Sequence, residues 1–269
     1  MSSNMANLVD NRPSGLGVWV AFHGMAKRPL GKWGPTVLNM KQLGFDWVAI
    51  RAGQGGSRQG DFLQRDLTEV AEACKDHGVR LLTWTYSYPE HYQKEAELIA
   101  TLIEQGSQGH IIDGEYEWEL PVDRKVKALN FGERLRKLVG YETYIAHSPL
   151  AYRNYHPYPY TEFNTWVDQI MPQTYWTELV RGNYDEQFVK MLDSWDSPPY
   201  TNNDPNFVAP IGVTYGHAEI NSATKPPGFF FERDLDRFLG RYKGKKTLSL
   251  YSWEASSKEA IRYLEKRKG

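Results

Sequence analysis

His110-Ile111-Ile112-Asp113-Gly114-Glu115-Tyr116-Glu117-Trp118-Glu119 is the stretch on which the reading of this chain turns. Two β-branched apolar residues run straight into a carboxylate, a glycine and a second carboxylate. Side chains alternate along a strand, so Asp113 and Glu115 face one side, about 7 Å apart along the backbone. An apolar run that stops abruptly in same-facing acids predicts a buried strand whose carboxyl end carries chemistry.

Outward from that stretch, one unit repeats. Apolar runs at 16–22, 45–51, 79–86, 142–147, 169–176, 207–215 and 247–253 read as further strands. Segments with apolar residues at helical spacing separate them, at 35–43, 62–77, 92–105, 122–139, 161–167, 184–195, 231–242 and 257–266. Glycine closes several of these, as at Gly44, Gly78, Gly106 and Gly140. Strands this uniformly apolar belong to a parallel sheet covered by helices. Eight such units in about 250 residues fit a closed barrel better than an open doubly wound sheet. The expectation is an α/β fold, a single (β/α)8 TIM-type barrel over residues 15–269, preceded by a disordered segment at 1–14.

Composition narrows the function classes. Lys plus Arg number 32 and Asp plus Glu 33, so no global field draws nucleic acid or an acidic membrane surface. No Gly-x-Gly-x-x-Gly follows a strand and no Walker loop is present, so neither a dinucleotide nor another cofactor is expected. The single cysteine, Cys74, excludes an internal disulfide framework and falls on a helical stretch as a buried thiol. No apolar run approaches the ~18 residues of a membrane span. The polar first thirteen residues lack the core of a signal peptide, which implies synthesis in the cytoplasm and release, or carriage on a particle, to reach an outside target. Aromatic content of 14%, with nine Trp and seventeen Tyr, exceeds what a core of this size needs. Such rings commonly line clefts, having an apolar face and a polar edge.

A barrel places its active site at the carboxyl ends of the strands. Those ends carry His23, Arg51, Trp84 with Tyr86, Asp113 with Glu115, His147, Gln173 with Tyr175, Tyr215, and Trp253 with Glu254. The result is a mouth floored by two acids and walled by rings, suited to a polysaccharide whose sugar faces stack and whose hydroxyls bond to carboxylates and amides. Glycoside cleavage needs an acid to protonate the leaving oxygen and a second group to stabilise the cationic centre. Repulsion between two close carboxylates raises the pKa of one. Glu115, longer and nearer the rim, is the expected general acid; Asp113 is the expected permanent anion, with Glu117 as fallback acid. Tyr175, Gln173, Trp253, Trp84, Tyr86, Arg51, Tyr215 and Glu254 are the expected substrate contacts. His23, His147 and His217 fall near strand ends but lack the paired spacing of a metal site, so no metal is expected. Arg134, Arg136 and Lys137 read as an exposed helix face.

The chain resembles glycoside hydrolase family 25, the muramidase-type lysozymes, in Asp46-Trp47-Val48-Ala49-Ile50-Arg51-Ala52-Gly53-Gln54-Gly55, in Thr83-Trp84-Thr85-Tyr86-Ser87-Tyr88, and in Ile111-Ile112-Asp113-Gly114-Glu115. Met171-Pro172-Gln173-Thr174-Tyr175 and Tyr251-Ser252-Trp253 are similar to family 18 chitinases. The resemblance implies a hydrolase of β-linked N-acetylhexosamine polymers, peptidoglycan foremost, with Glu115 as acid, Asp113 steadying the acetamide and Tyr175 bonding it. The acid that family 25 carries at the end of strand one is replaced here by the sequence Ala21-Phe22-His23. That departure keeps two alternatives open: a catalytically silent polysaccharide-binding barrel, and a glycosidase for chitin or a capsule.

Overall fold

The computed structural model describes residues 10–21, 32–58, 67–151, 156–176, 183–195, 204–214 and 231–268. Their barrel strands are β1 (Gly15–Val20), β2 (Phe45–Gln54), β3 (Arg80–Ser87), β4 (Gly109–Gly114), β5 (Tyr144–Ser148), β6 (Gln169–Ile170), β7 (Ile211–Val213) and β8 (Thr247–Tyr251). Helices alternate with them: α1 (Trp33–Gln42), α2 (Thr68–Asp76), α3 (Tyr92–Glu104), α4 (Arg124–Val139), α5 (Tyr160–Asn164), α6 (Tyr184–Asp193), α7 (Phe231–Arg241) and α8 (Lys258–Lys268).

The strands pair in parallel and in sequence order from β1 to β6, while β8 lies between β1 and β7. Bridges from Ile170 to Val208 and from Gln173 to Ile211 join the remaining edge, with the Ala209 amide donating to the Ile170 carbonyl at 2.8 Å and Ile211 to Pro172 at 2.9 Å. The cylinder is thereby closed, as the repeat of eight units predicts. Strands β6 and β7 are shorter than their apolar runs; the chain continues past β6 in extended pairs instead of an unbroken ladder.

Period-two alternation sorts the side chains. Trp19, Trp47, Ala49, Leu82, Trp84, Ile111, Tyr144 and Ala146 fill the interior. Their neighbours Val18, Val20, Val48, Ile50, Ile112 and Ile145 point outward into the layer under the helices. Each fully buried large side chain contributes roughly 1.5–3 kcal/mol relative to exposure, and both faces of the sheet are filled this way. The cylinder is therefore solid, and a ligand can enter only at an end.

Two expectations change. Residues 10–14, assigned to a disordered segment, seal the amino end of the barrel: Asn11 donates to the Glu142 carbonyl, the Pro13 carbonyl accepts from Thr247, and Arg12 pairs with Asp10 and Asp204. Residues 1–9 lie outside the described residues. Arg136, expected on an exposed face, is buried under α4. Its guanidinium donates to the carbonyls of Gly140 and Thr143 after α4, to that of Trp166 after α5, and to Asp168 at 2.9 Å, answering carbonyls at the carboxyl ends of two helices. Cys74 is buried as expected, its thiol pushed up to about 12 by burial.

Candidate active site

Strand β4 is buried along its whole length, and its register against β3 sets Asp113 beside Tyr86. The strand ends at Gly114, where an added Cβ would stand 2.7 Å from the Tyr158 hydroxyl, so only glycine lets the chain pass. Beyond it, Tyr116–Glu119 form a single 3-10 turn. Trp118 pins that turn. Its indole is fully buried, stacks on Phe131 at 6.1 Å and donates to the Ser87 hydroxyl at 3.0 Å. With Trp118 anchored in the layer beneath the helices, Glu115 and Glu117 meet Gln173 and Tyr86 at the mouth.

Asp113 and Glu115 share one partner. The Gln173 side-chain amide donates to the Asp113 carboxylate at 2.7 Å and to the Glu115 carboxylate at 2.8 Å. Asp113 is buried and Glu115 half-buried. Burial pushes the Asp113 carboxyl well above the usual carboxylate range, and the charge of Glu115 adds to the rise; Arg51 and the Gln173 amide oppose it. Burial also raises Glu115, against the pull of the Gln173 hydrogen bond. Two adjacent carboxyls that both resist ionisation behave as a pair holding one proton between them. This corrects the expectation of Asp113 as a permanent anion. It lies deeper than Glu115, and the two carboxyls share one proton between them.

Tyr86 joins the third acid to the pair. Its hydroxyl donates to Glu117 at 2.7 Å and lies 3.5 Å from Glu115. Burial, then that bond to Glu117, raises the phenol so that it stays a donor. Arg51 lies with its guanidinium carbon 5.2 Å from the centre of the Trp84 ring and donates to Gln54 at 3.2 Å. Trp84 itself is interior, donating to the Val20 carbonyl at 3.0 Å and packed against Trp19 at 5.5 Å. It forms the floor beneath Arg51 and does not wall the mouth. Tyr175 stacks on Tyr251 at 5.3 Å, a ring pair between β6 and β8 in which Tyr251 is an addition to the expected residues. The outlook of Tyr251 follows from alternation with the outward Leu248 and Leu250.

Two expected contacts are elsewhere. The strand ends at Tyr251, so alternation no longer governs Trp253, which lies in a turn. Its indole packs edge-on to Phe45 at 6.5 Å in the layer beneath the helices. Glu254 is buried and accepts the Ala21 amide at 2.7 Å, tying the end of β8 to that of β1. Tyr215, His23 and His217 lie outside the described residues. His147 is a packing residue: it faces outward, stacks on Phe163 at 5.0 Å, bonds Asn164 and Tyr158, and burial pushes it down to about 3. Among the described residues no group of three His, Cys, Asp or Glu side chains is placed to hold a metal ion.

A further carboxyl, Glu95, lies behind the site. It projects from α3 against the outward face of β3, accepting from Thr85 at 2.7 Å and Ser87 at 2.8 Å. Thr85 and Thr83 in turn hold the two ring nitrogens of His110 at 2.9 and 2.8 Å. Burial raises Glu95 to about 8 and lowers His110 to about 3. A sequence signal for this seam exists: Glu95 falls on the same helical face as Leu98, Ile99 and Leu102, where a solvated charge has no place.

No family model matches the chain, and no curated protein sequence does. Solved structures match its fold. A chitinase from Bacteroides thetaiotaomicron superposes with a TM-score of 0.65 at 13% identity, over 95% of this chain and 96% of its own. The PgaB (BpsB) glycoside hydrolase domain from Bordetella bronchiseptica gives 0.60 at 13% identity, over 94% and 98%. The Bacillus cereus spore cortex-lytic enzyme SleL gives 0.61 at 9% identity, over 94% of this chain and 74% of its own. At such identities the likeness is one of fold. The chain is a TIM-type (β/α)8 barrel, and the barrels it matches include several named as glycoside hydrolases.

Proposed function

We propose that this chain is a glycoside hydrolase acting on a β-linked N-acetylhexosamine polymer, with peptidoglycan as the substrate. The observation that carries the proposal is the Gln173 amide bridging Asp113 and Glu115 at the carboxyl end of β4. A pair holding one proton has both an acid and a charge stabiliser available at neutral pH. Support comes also from the resemblance of Ile111–Glu115 and Gln173–Tyr175 to families acting on such polymers, and from neighbours named as chitinases and a cortex-lytic enzyme.

In this mechanism Glu115, the more accessible member, gives its proton to the glycosidic oxygen as the bond to the anomeric carbon breaks. The substrate's own acetamide oxygen bonds to that carbon, and Asp113 receives the acetamide N–H. Water then attacks the anomeric carbon, its proton returns to Glu115, and the acetamide is released. Tyr175 hydrogen-bonds the acetamide, and Arg51 limits the negative charge the site accumulates. The test is release of reducing ends from purified cell walls and from chitin, with products identified by mass. Wild-type protein should release them and Glu115→Gln should not; release by neither would overturn the reading, and neutral chitin products alone would overturn peptidoglycan as substrate.

A further inference from the structure

Beside the carboxylate mouth, at the ends of β2 and β3, lies a second concavity that none of the chemistry above uses. It has a volume of about 400 Å³ and is lined by Gln54, Gly55, Ser57, Tyr88, His91 and Lys94. One wall is held in place. Gln54 donates to the Tyr88 hydroxyl at 2.6 Å, and the Tyr88 ring stands edge-on to Tyr86 at 5.3 Å and to His91 at 6.2 Å. The backbone can close over it because Gly55 and Gly56 adopt positive φ (54° and 80°), with no room for a Cβ against His91, Tyr88 and Lys94. The cleft adjoins the mouth through shared side chains: Gln54 also accepts from Arg51, and Tyr86, beside Tyr88, donates to Glu117.

The mouth and the cleft carry opposite charges. Asp113, Glu115 and Glu117 gather at the mouth, whereas no acid lines the cleft. The acids nearby in the chain are engaged elsewhere: Glu90 faces Lys127 at 3.6 Å, Glu97 pairs with Arg134 at 2.5 Å, and Glu95 turns inward beneath β3. Lys94 makes no hydrogen bond or ion pair among the described residues. A cation without a countercharge, in a cleft otherwise supplied with an amide, hydroxyls and a ring edge, complements a sugar that bears a carboxylate.

We propose that this cleft is a subsite for a carboxylate-bearing sugar of the glycan, with Lys94 as its countercharge. The inference rests on the reading of the mouth as a glycan site. It adds a rule of register: the net negative charge of the mouth keeps the charged sugar out of the cleavage position, and attraction to Lys94 holds it one step along. In a chain that alternates neutral and acidic sugars, every second linkage is then presented to Glu115.

The test measures binding, by calorimetry, to the full-length Glu115→Gln protein, which removes turnover. The ligands are oligosaccharides carrying a carboxylate, as a lactyl ether in one arm and a uronate in the other, each paired with its carboxyl-reduced form. The carboxylated form of one arm should bind about tenfold tighter than its reduced form, as expected for one charge-assisted contact. Lys94→Gln should erase that difference, and Lys94→Arg should retain most of it; the arm that responds identifies the source of the carboxylate. Equal binding of each pair, a preference that survives Lys94→Gln, or no binding of any ligand would overturn the proposal. Reducing-end release by wild type, assayed separately, keeps the two readings distinct. A Lys94-dependent preference without hydrolysis would sink the hydrolase and leave the subsite, and hydrolysis without that preference would do the reverse.

Discussion

Two carboxyl clusters lie on opposite faces of the same pair of strands, and burial raises the pKa of both. Glu95, outward of β3, is sealed under α3 and answered by the hydroxyls of Thr85 and Ser87. Asp113 and Glu115, inward at the end of β4, are answered by one amide and open towards solvent through Glu115. A raised pKa is therefore a mark of burial alone. Chemistry requires in addition a second acid to trade a proton with and a path for substrate, and only the inward cluster has both.

The contrast is broken most directly by removing each acid without changing its shape. Glu115→Gln should lower kcat by about 10²–10⁴, the usual contribution of a positioned general acid, with glycan affinity kept. Glu95→Gln should leave kcat within a few-fold. A loss from Glu95→Gln as large as that from Glu115→Gln would place the proton donor on the wrong side of the sheet.

Next in size is the bridge. The Gln173 amide stabilises the ionised forms of Asp113 and Glu115, so it holds both pKa values below where burial alone would set them. Gln173→Ala removes that restraint, and both values rise. The bell-shaped profile of kcat against pH should move towards higher pH, by on the order of one unit, with roughly a tenfold loss of kcat at neutral pH. A profile that keeps its position while only its height falls would mean that Gln173 merely packs.

The sealed cluster is sharpened by stability. Glu95 sits at about 8 against an ordinary 4.5, so between those values the folded chain holds a proton that the unfolded chain has released. Its stabilisation is complete below about pH 4.5 and is lost as pH climbs through about 8. The loss over that window is on the order of a few kcal/mol. Glu95→Gln cannot titrate. Denaturant unfolding of wild type and variant should therefore diverge between pH 5 and 8, wild type falling more steeply; parallel curves would mean that Glu95 is ionised throughout.

What the sequence revealed follows from periodicity. Ile111-Ile112-Asp113-Gly114 obeys strict alternation in a strand and the backbone stays extended at Glu115 just past its end, so its acids could be placed on one side and at one end. Gln173 kept its outlook because paired backbone continues to it past β6, and Tyr175, beyond the last bridge, meets Tyr251. Alternation is a property of extended chain, and readings fail where the chain leaves it, as at Trp253 and Glu254 beyond Tyr251. Arg136 and Glu95 fail for another reason. Their type suggests solvent, but each answers polar groups supplied by distant segments, the carbonyls of Trp166 and Thr143 or the hydroxyls of β3. The cleft around Lys94 is assembled from the ends of two strands and one helix, and no local pattern announces it.

Trp253 gives the smallest and most discriminating test of that boundary. If its indole belongs to the layer around Phe45, Trp253→Phe removes buried apolar volume without touching substrate. The expected cost is about 1–2 kcal/mol of stability, read as a drop in Tm, because the smaller ring leaves part of the site unfilled. KM for the glycan should stay within twofold of wild type. An unchanged Tm with a several-fold rise in KM would put the ring at the mouth after all, and alternation would then extend two residues beyond the end of β8.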